Sequence, residues 1–219
     1  LVKGNFERVD LIEAHNSIHD YDSISVCETN LKDSTPLRDP LLNDYNFISA
    51  NHPGNLAHGG VGLFYKSSLP VIHRQDLSFD ECIVIELKFG RRKKIFFTVL
   101  YRSPSIKHDS PEFQAFLSNF RNLQTNIQAE TPSAILLTGD FNGHSQLWWP
   151  EGDTNAEGRE IEELFTSLNS SQLISEPTNF TPNKRPTCID LIATDQPNFV
   201  MASGTRDSLY SNCHHQIIY

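Results

Sequence analysis

Long apolar runs are missing from this 219-residue chain. Runs such as Ala134-Ile135-Leu136-Leu137 fall far short of the roughly 18–20 residues that span a bilayer, so no membrane partner is expected. A surplus of positive charge is missing too. Eighteen Lys and Arg stand against 27 Asp and Glu, a formal net charge of −9. A phosphate-rich partner must therefore be met by a local basic patch or a metal ion rather than by bulk charge. The four cysteines, Cys27, Cys82, Cys188 and Cys213, lie far apart without a Cys-x-x-Cys pair. That spacing argues against a structural zinc site and supplies no disulfide framework. No signal peptide is expected, and the compartment is read as reducing and intracellular. Nor is there a repeat, a low-complexity tract or a Gly/Pro/Ser linker. Residues 1–219 are read as one domain, and a hydrophobic content of 38% is enough for a full core. The sequons at Asn169 and Asn179 are taken as chance matches.

What is present is a series of short strand-like runs rich in Ile, Val, Leu and Phe. They cover residues 23–26, 60–65, 82–89, 94–101, 134–138, 188–193 and 216–219. The run 82–87, then Gly90-Arg91-Arg92, then 94–97 reads as an antiparallel hairpin with a basic tip. Ser110-Pro111-Glu112 carries the signature of a helix start. Phe113, Phe116, Leu117, Phe120, Leu123 and Ile127 then follow helical spacing over 111–129. A second helix is expected from about Asn155, with Ile161, Leu164, Phe165 and Leu168 on one face. A third is expected in the opening stretch, with Phe6, Val9, Leu11 and Ile12. The class is α+β: two β-sheets packed face to face with helices outside.

Four places put reactive side chains where an apolar strand stops. Glu28 ends the first, and a carboxylate there suits a hard cation with oxygen ligands. In Thr138-Gly139-Asp140-Phe141-Asn142 an extended backbone would aim Asp140 and Asn142 at one ligand. An Asx turn is the competing reading. Asp190 interrupts an apolar strand and needs a partner, most simply a His or a metal. Finally His214-His215 leads into the last strand, and a His beside a strand carboxylate is an acid–base pattern.

This ordered set resembles the endonuclease/exonuclease/phosphatase superfamily, and within it the endonuclease domain of non-LTR (LINE-type) retrotransposons. The resemblance rests on Glu28 in Cys-Glu-Thr-Asn-Leu, Tyr101 in Leu-Tyr-Arg-Ser-Pro-Ser, Gly139-Asp140-Phe141-Asn142, Ile189-Asp190-Leu191-Ile192 and the terminal His-His run. His58-Gly59-Gly60-Val61-Gly62-Leu63 and Asn142-Gly143-His144 followed by Leu147-Trp148-Trp149 carry it to that branch. It implies a two-layer β-sandwich flanked by helices, the deoxyribonuclease I-like four-layer fold. It implies Mg²⁺ (or Mn²⁺) and nicking of DNA to a 3′-hydroxyl and a 5′-phosphate. In such elements the 3′-hydroxyl primes a reverse transcriptase domain of the same polyprotein, which acts in the nucleus. By the same resemblance Glu28 is the metal ligand, and Tyr101 lies near the scissile phosphate. Asp140 and Asn142 handle the attacking water or the leaving oxygen. Asp190 orients the catalytic His, placed at His214. Thr178 matches a DNA-contacting Thr, and Cys213 falls on the substrate side; Lys184 and Arg185, just before the Asp190 strand, are read from their local charge as a DNA-contacting loop.

Against the family pattern, an N-terminal strand with a metal-positioning Asn is expected to be missing, with neither Asn5 nor Asn16 replacing it. Part of the last strand is expected to be missing as well, as in a fragment of a longer polyprotein. The usual Ser-Asp-His ending is read here as Asn212-Cys213-His214, which puts Cys213 in the place of the Asp. Two other readings share these residues: a decayed or impaired remnant, and a superfamily esterase acting on another phosphate ester.

Overall fold

Strands that are apolar on both faces must be covered on both faces. The computed structural model describes residues 2–3, 9–37, 41–90, 93–210 and 213–219. In chain order the elements are β1 (Val2–Lys3), α1 (Val9–His19), β2 (Ser23–Cys27), β3 (Tyr45–Ala50), β4 (Val61–Lys66), β5 (Val71–His73), β6 (Cys82–Phe89), β7 (Lys93–Tyr101) and α2 (Pro111–Ala129). After them come β8 (Ala134–Asp140), α3 (Ala156–Ser167), β9 (Ser171–Gln172), β10 (Asp190–Thr194), β11 (Thr205–Arg206) and β12 (Ile217–Ile218).

Two sheets hold most of them, one in the order β1-β2-β4-β3 and the other β5-β6-β7-β8-β10-β9. Cys27, Val61 and Leu63 of the first sheet meet Ile83, Ile85, Phe97 and Val99 of the second in one buried cluster between the layers. The other face of the large sheet packs under α2 and α3, where Phe113, Phe120, Ile161 and Phe165 cover Val84, Phe96 and Leu137. Ile12 of α1 packs with Ile24, Val26 and Phe64 on the outer face of the small sheet. The result is the expected α+β sandwich of four layers.

Helix α2 spans the predicted residues: the Ser110 hydroxyl caps it by accepting from the Phe113 N–H, with Pro111 in the first turn. Asn155 caps α3 in the same way, through the Gly158 N–H. Strand β3 was not foreseen, because Asn46 and Ser49 dilute its apolar pattern; pairing with β4 supplies what its own sequence lacks. One expectation needs correcting. A first strand is present, since Val2–Lys3 pairs in parallel with Val26–Cys27. It is too short to announce itself by alternation. Asn5 lies outside the described residues. Asn16 sits on α1, where its side chain accepts from the Tyr21 N–H and the Tyr45 hydroxyl.

The β6–β7 hairpin forms as expected, with Phe89 paired to Lys93. Arg91 and Arg92 of its tip lie outside the described residues. The nine residues of β7 place this tip roughly 26 Å from Tyr101, at about 3.3 Å per residue. Lys94, near the tip, pairs with Glu130 at 2.8 Å. Lys93 and Lys94 are thus at the far end of the sheet from the strand-end residues. The strands at the opposite end approach closely. A Cβ on Gly139 would lie 2.0 Å from the Leu100 carbonyl oxygen, so glycine is required before Asp140.

Candidate active site

Register builds the site. In the parallel β7–β8 pair Tyr101 stands opposite Asp140. In the antiparallel β8–β10 pair Asp140 stands opposite Asp190. Directly opposed residues share a face and lie within side-chain reach. Three polar side chains therefore form a row across the end of the large sheet. The small sheet adds Glu28 just past β2: the Tyr101 hydroxyl donates to its Oε1 at 2.8 Å. At the other end of the row, His215 Nδ1 and Asp190 Oδ2 are 2.8 Å apart. Oxygen and nitrogen atoms of Asp140, Asp190 and His215 lie within 4.8 Å of one another, all three residues buried. The order along the row is Glu28, Tyr101, Asp140, Asp190, His215.

Burial sets the electrostatics. Asp140 is 0% and Asp190 1% exposed. Desolvation, then the carboxylate of Glu28, pushes the Tyr101 phenol well above its ordinary value, so the hydroxyl stays a donor. Glu81, also buried, accepts the Gly60 N–H at 2.9 Å. Burial raises its pKa, and the charges of Asp80 and Glu28 add to the effect. Glu28, Glu81 and Asn142 all have positive φ (56°, 56° and 46°). Left-handed backbone at non-glycine residues tends to collect at functional sites.

Several expectations change. Asp190 holds His215 and not His214, which is exposed. The reason is alternation: consecutive residues entering a strand face opposite ways, and the bridge of Asn179 to His215 turns the second imidazole inward. The residue before the oriented histidine is then His214, so Cys213 does not occupy the Asp place. Its Sγ instead lies 3.4 Å from the His215 carbonyl oxygen. Asp140 and Asn142 do not share an extended face. Asn142 turns left-handed, its N–H donates to Asp140 Oδ1 at 3.1 Å, and its amide nitrogen donates to the Arg102 carbonyl. Thr178 is fully buried. Its Oγ1 accepts the N–H groups of Ile189 and Asp190, both at 3.0 Å, and so holds the Asp190 backbone. Lys184 and Arg185 stand exposed on the loop between Thr178 and Asp190. Trp148 is packing: it is buried and its indole N–H donates to the Cys188 carbonyl.

Sequence reasoning missed Arg102. The residue is 2% exposed, and its guanidinium donates to the carbonyls of Phe141 (2.6 Å), Ile106 (2.7 Å) and Asn142 (2.5 Å). It clamps the turn that follows Asp140. Arg102→Met orphans these acceptors at about 1–3 kcal/mol each, partly offset by relief of the buried charge. A net loss of about 3 kcal/mol is expected, read as a lower urea midpoint with an unchanged slope. An unmoved midpoint would remove the clamp from this account.

A sequence-family model described as "Endonuclease-reverse transcriptase" matches residues 95–219, more than half of the chain. No curated protein matches the sequence. Among solved structures, the chain is similar to the endonuclease domain of TRAS1, a telomere-specific non-LTR retrotransposon. The TM-score is 0.75 at 15% identity, covering 99% of this chain and 94% of that one. It is also similar to the AP endonuclease LMAP from Leishmania major (TM-score 0.81, 12% identity, 97% and 81% covered). A third likeness is to the 3′-5′ exonuclease NExo from Neisseria meningitidis (0.67, 17%, 99% and 96%). At these identities the likeness shows the fold, which is that of the deoxyribonuclease I-like nucleases.

Proposed function

Because the chain belongs to the endonuclease-reverse transcriptase family, we propose that it is a divalent-cation-dependent DNA endonuclease. It nicks one strand to leave a 3′-hydroxyl that a reverse transcriptase domain of the same polyprotein extends, in the nucleus. The observation that carries this reading is the continuous row from Glu28 to His215, which joins both sheets at one end of the sandwich.

The donors suit a hard cation. The row is dominated by carboxylate oxygen, and the buried Asp190 Oδ1 has no hydrogen-bond partner among the described residues. Glu28 would hold Mg²⁺ or Mn²⁺, which neutralises charge gathering on the phosphate oxygens. The protein's own groups do the rest. Water attacks phosphorus in line: a new P–O bond forms, the bond to the 3′-oxygen breaks, and that oxygen leaves with a proton from His215. Asp140, one oxygen already tied to the Asn142 N–H, takes the water's proton. His215, braced by Asp190, holds that proton at Nε2, taken up from solvent as the phosphate binds. Lys184 and Arg185 give the local positive charge that an acidic chain needs near DNA.

The test is supercoiled plasmid incubated with the protein in Mg²⁺, with and without EDTA. Nicked circles whose ends a polymerase extends without phosphatase treatment are expected in Mg²⁺ alone. Intact plasmid under both conditions, with release of phosphate from an inositol phosphate instead, would overturn the nuclease reading.

A further inference from the structure

The Asn179-Phe180-Thr181 match to a glycosylation sequon has a different use in the fold. The backbone of 178–180 runs antiparallel to 214–216: Phe180 N–H donates to the His214 carbonyl and Gln216 N–H to the Thr178 carbonyl. Asn179 therefore stands directly opposite His215, and opposed residues share a face. Its side-chain nitrogen meets Nε2 of His215 within hydrogen-bond distance. Its side-chain oxygen is already committed, accepting the Thr181 N–H at 3.1 Å and the Thr181 hydroxyl at 2.8 Å. A backbone N–H is a donor only, so the amide cannot turn over without losing that bond. Asn179 can present only a donor to Nε2.

We infer that Asn179 is a positioning residue that fixes the tautomer of His215. It donates to Nε2, so the ring proton stays on Nδ1, facing Asp190. Which imidazole nitrogen carries the proton is set by the partner of the other, and here both partners impose the same answer. With Thr181 behind it, Asn179 extends the row by two residues. Nε2 is also the nitrogen left to address substrate, so its present partner must yield when a phosphate arrives. This last step rests on the nuclease reading; the tautomer does not.

The test is a long-range ¹H–¹⁵N correlation spectrum of the full 219-residue protein without nucleic acid. The His215 signals are identified by their loss in His215→Gln. The unsubstituted protein is expected to show the proton on Nδ1. Asn179→Ala is expected to give a mixture of tautomers. In Asn179→Asp, which keeps the shape but offers only acceptors, Nε2 takes up a proton. In the nicking assay Asn179→Ala lowers kcat by about tenfold with KM within about twofold, as for other residues that orient an active-site ligand. If Asn179→Ala fails to fold, the near-isosteric Asn179→Asp decides. A proton on Nε2 in the unsubstituted protein, or an unchanged His215 spectrum in the variants, overturns the inference. Tautomers that shift as expected in a protein that nicks no DNA would leave this inference standing and remove the nuclease reading.

Discussion

His215→Ala is expected to slow plasmid nicking by about 10²- to 10⁴-fold, the usual range for a lost acid–base group. His214→Ala, one residue earlier, should change the rate by no more than about twofold, as for a surface side chain. The two imidazoles are adjacent in sequence and opposite in environment. His215 is 9% exposed and bonded to Asp190, while His214 lies on the surface. His215→Ala also takes away the partner of the buried Asp190, so circular dichroism should show a folded protein and thermal melting a lower midpoint. Equal losses for the two variants, or a loss confined to His214→Ala, would mean that the Asp190 pairing does not serve catalysis.

That pair of residues also shows where sequence reading stops. Glu28, Asp140 and Asp190 were legible because each breaks an apolar strand, and a carboxylate in that position demands an explanation. Tyr101 was legible through its resemblance to a family motif. Which of two neighbouring histidines meets Asp190 was not legible. It depends on the phase of a two-residue strand, which a bridge from Asn179, 36 positions upstream, sets. The same applies to Arg102 and Glu81. Two of the acceptors of Arg102 lie 39 and 40 positions away and the partner of Glu81 lies 21 away, which no local pattern announces. Thr178 was read as a substrate contact, whereas its hydroxyl is spent on backbone amides. Helices α2 and α3 were readable to within a residue or two because their caps and apolar stripes are local. Strand β3 was hidden because its stability comes from β4.

Glu28→Gln is the second large effect. Charge neutralisation by a bound cation is worth several kcal/mol in the transition state. At 1.36 kcal/mol per factor of ten, loss of its ligand should cost 10²-fold or more in nicking. The change keeps the shape of the side chain and an oxygen able to accept from the Tyr101 hydroxyl, so the link between the sheets survives. Raising the Mg²⁺ concentration should recover part of the rate, because weaker binding is offset by mass action.

Mn²⁺ binding by isothermal titration, with the protein free of nucleic acid, compares the unsubstituted chain with Glu28→Gln. The account predicts one site per chain, weakened by about 10- to 100-fold in the variant. Equal affinity in the two proteins, or no binding in either, would contradict a cation held at Glu28.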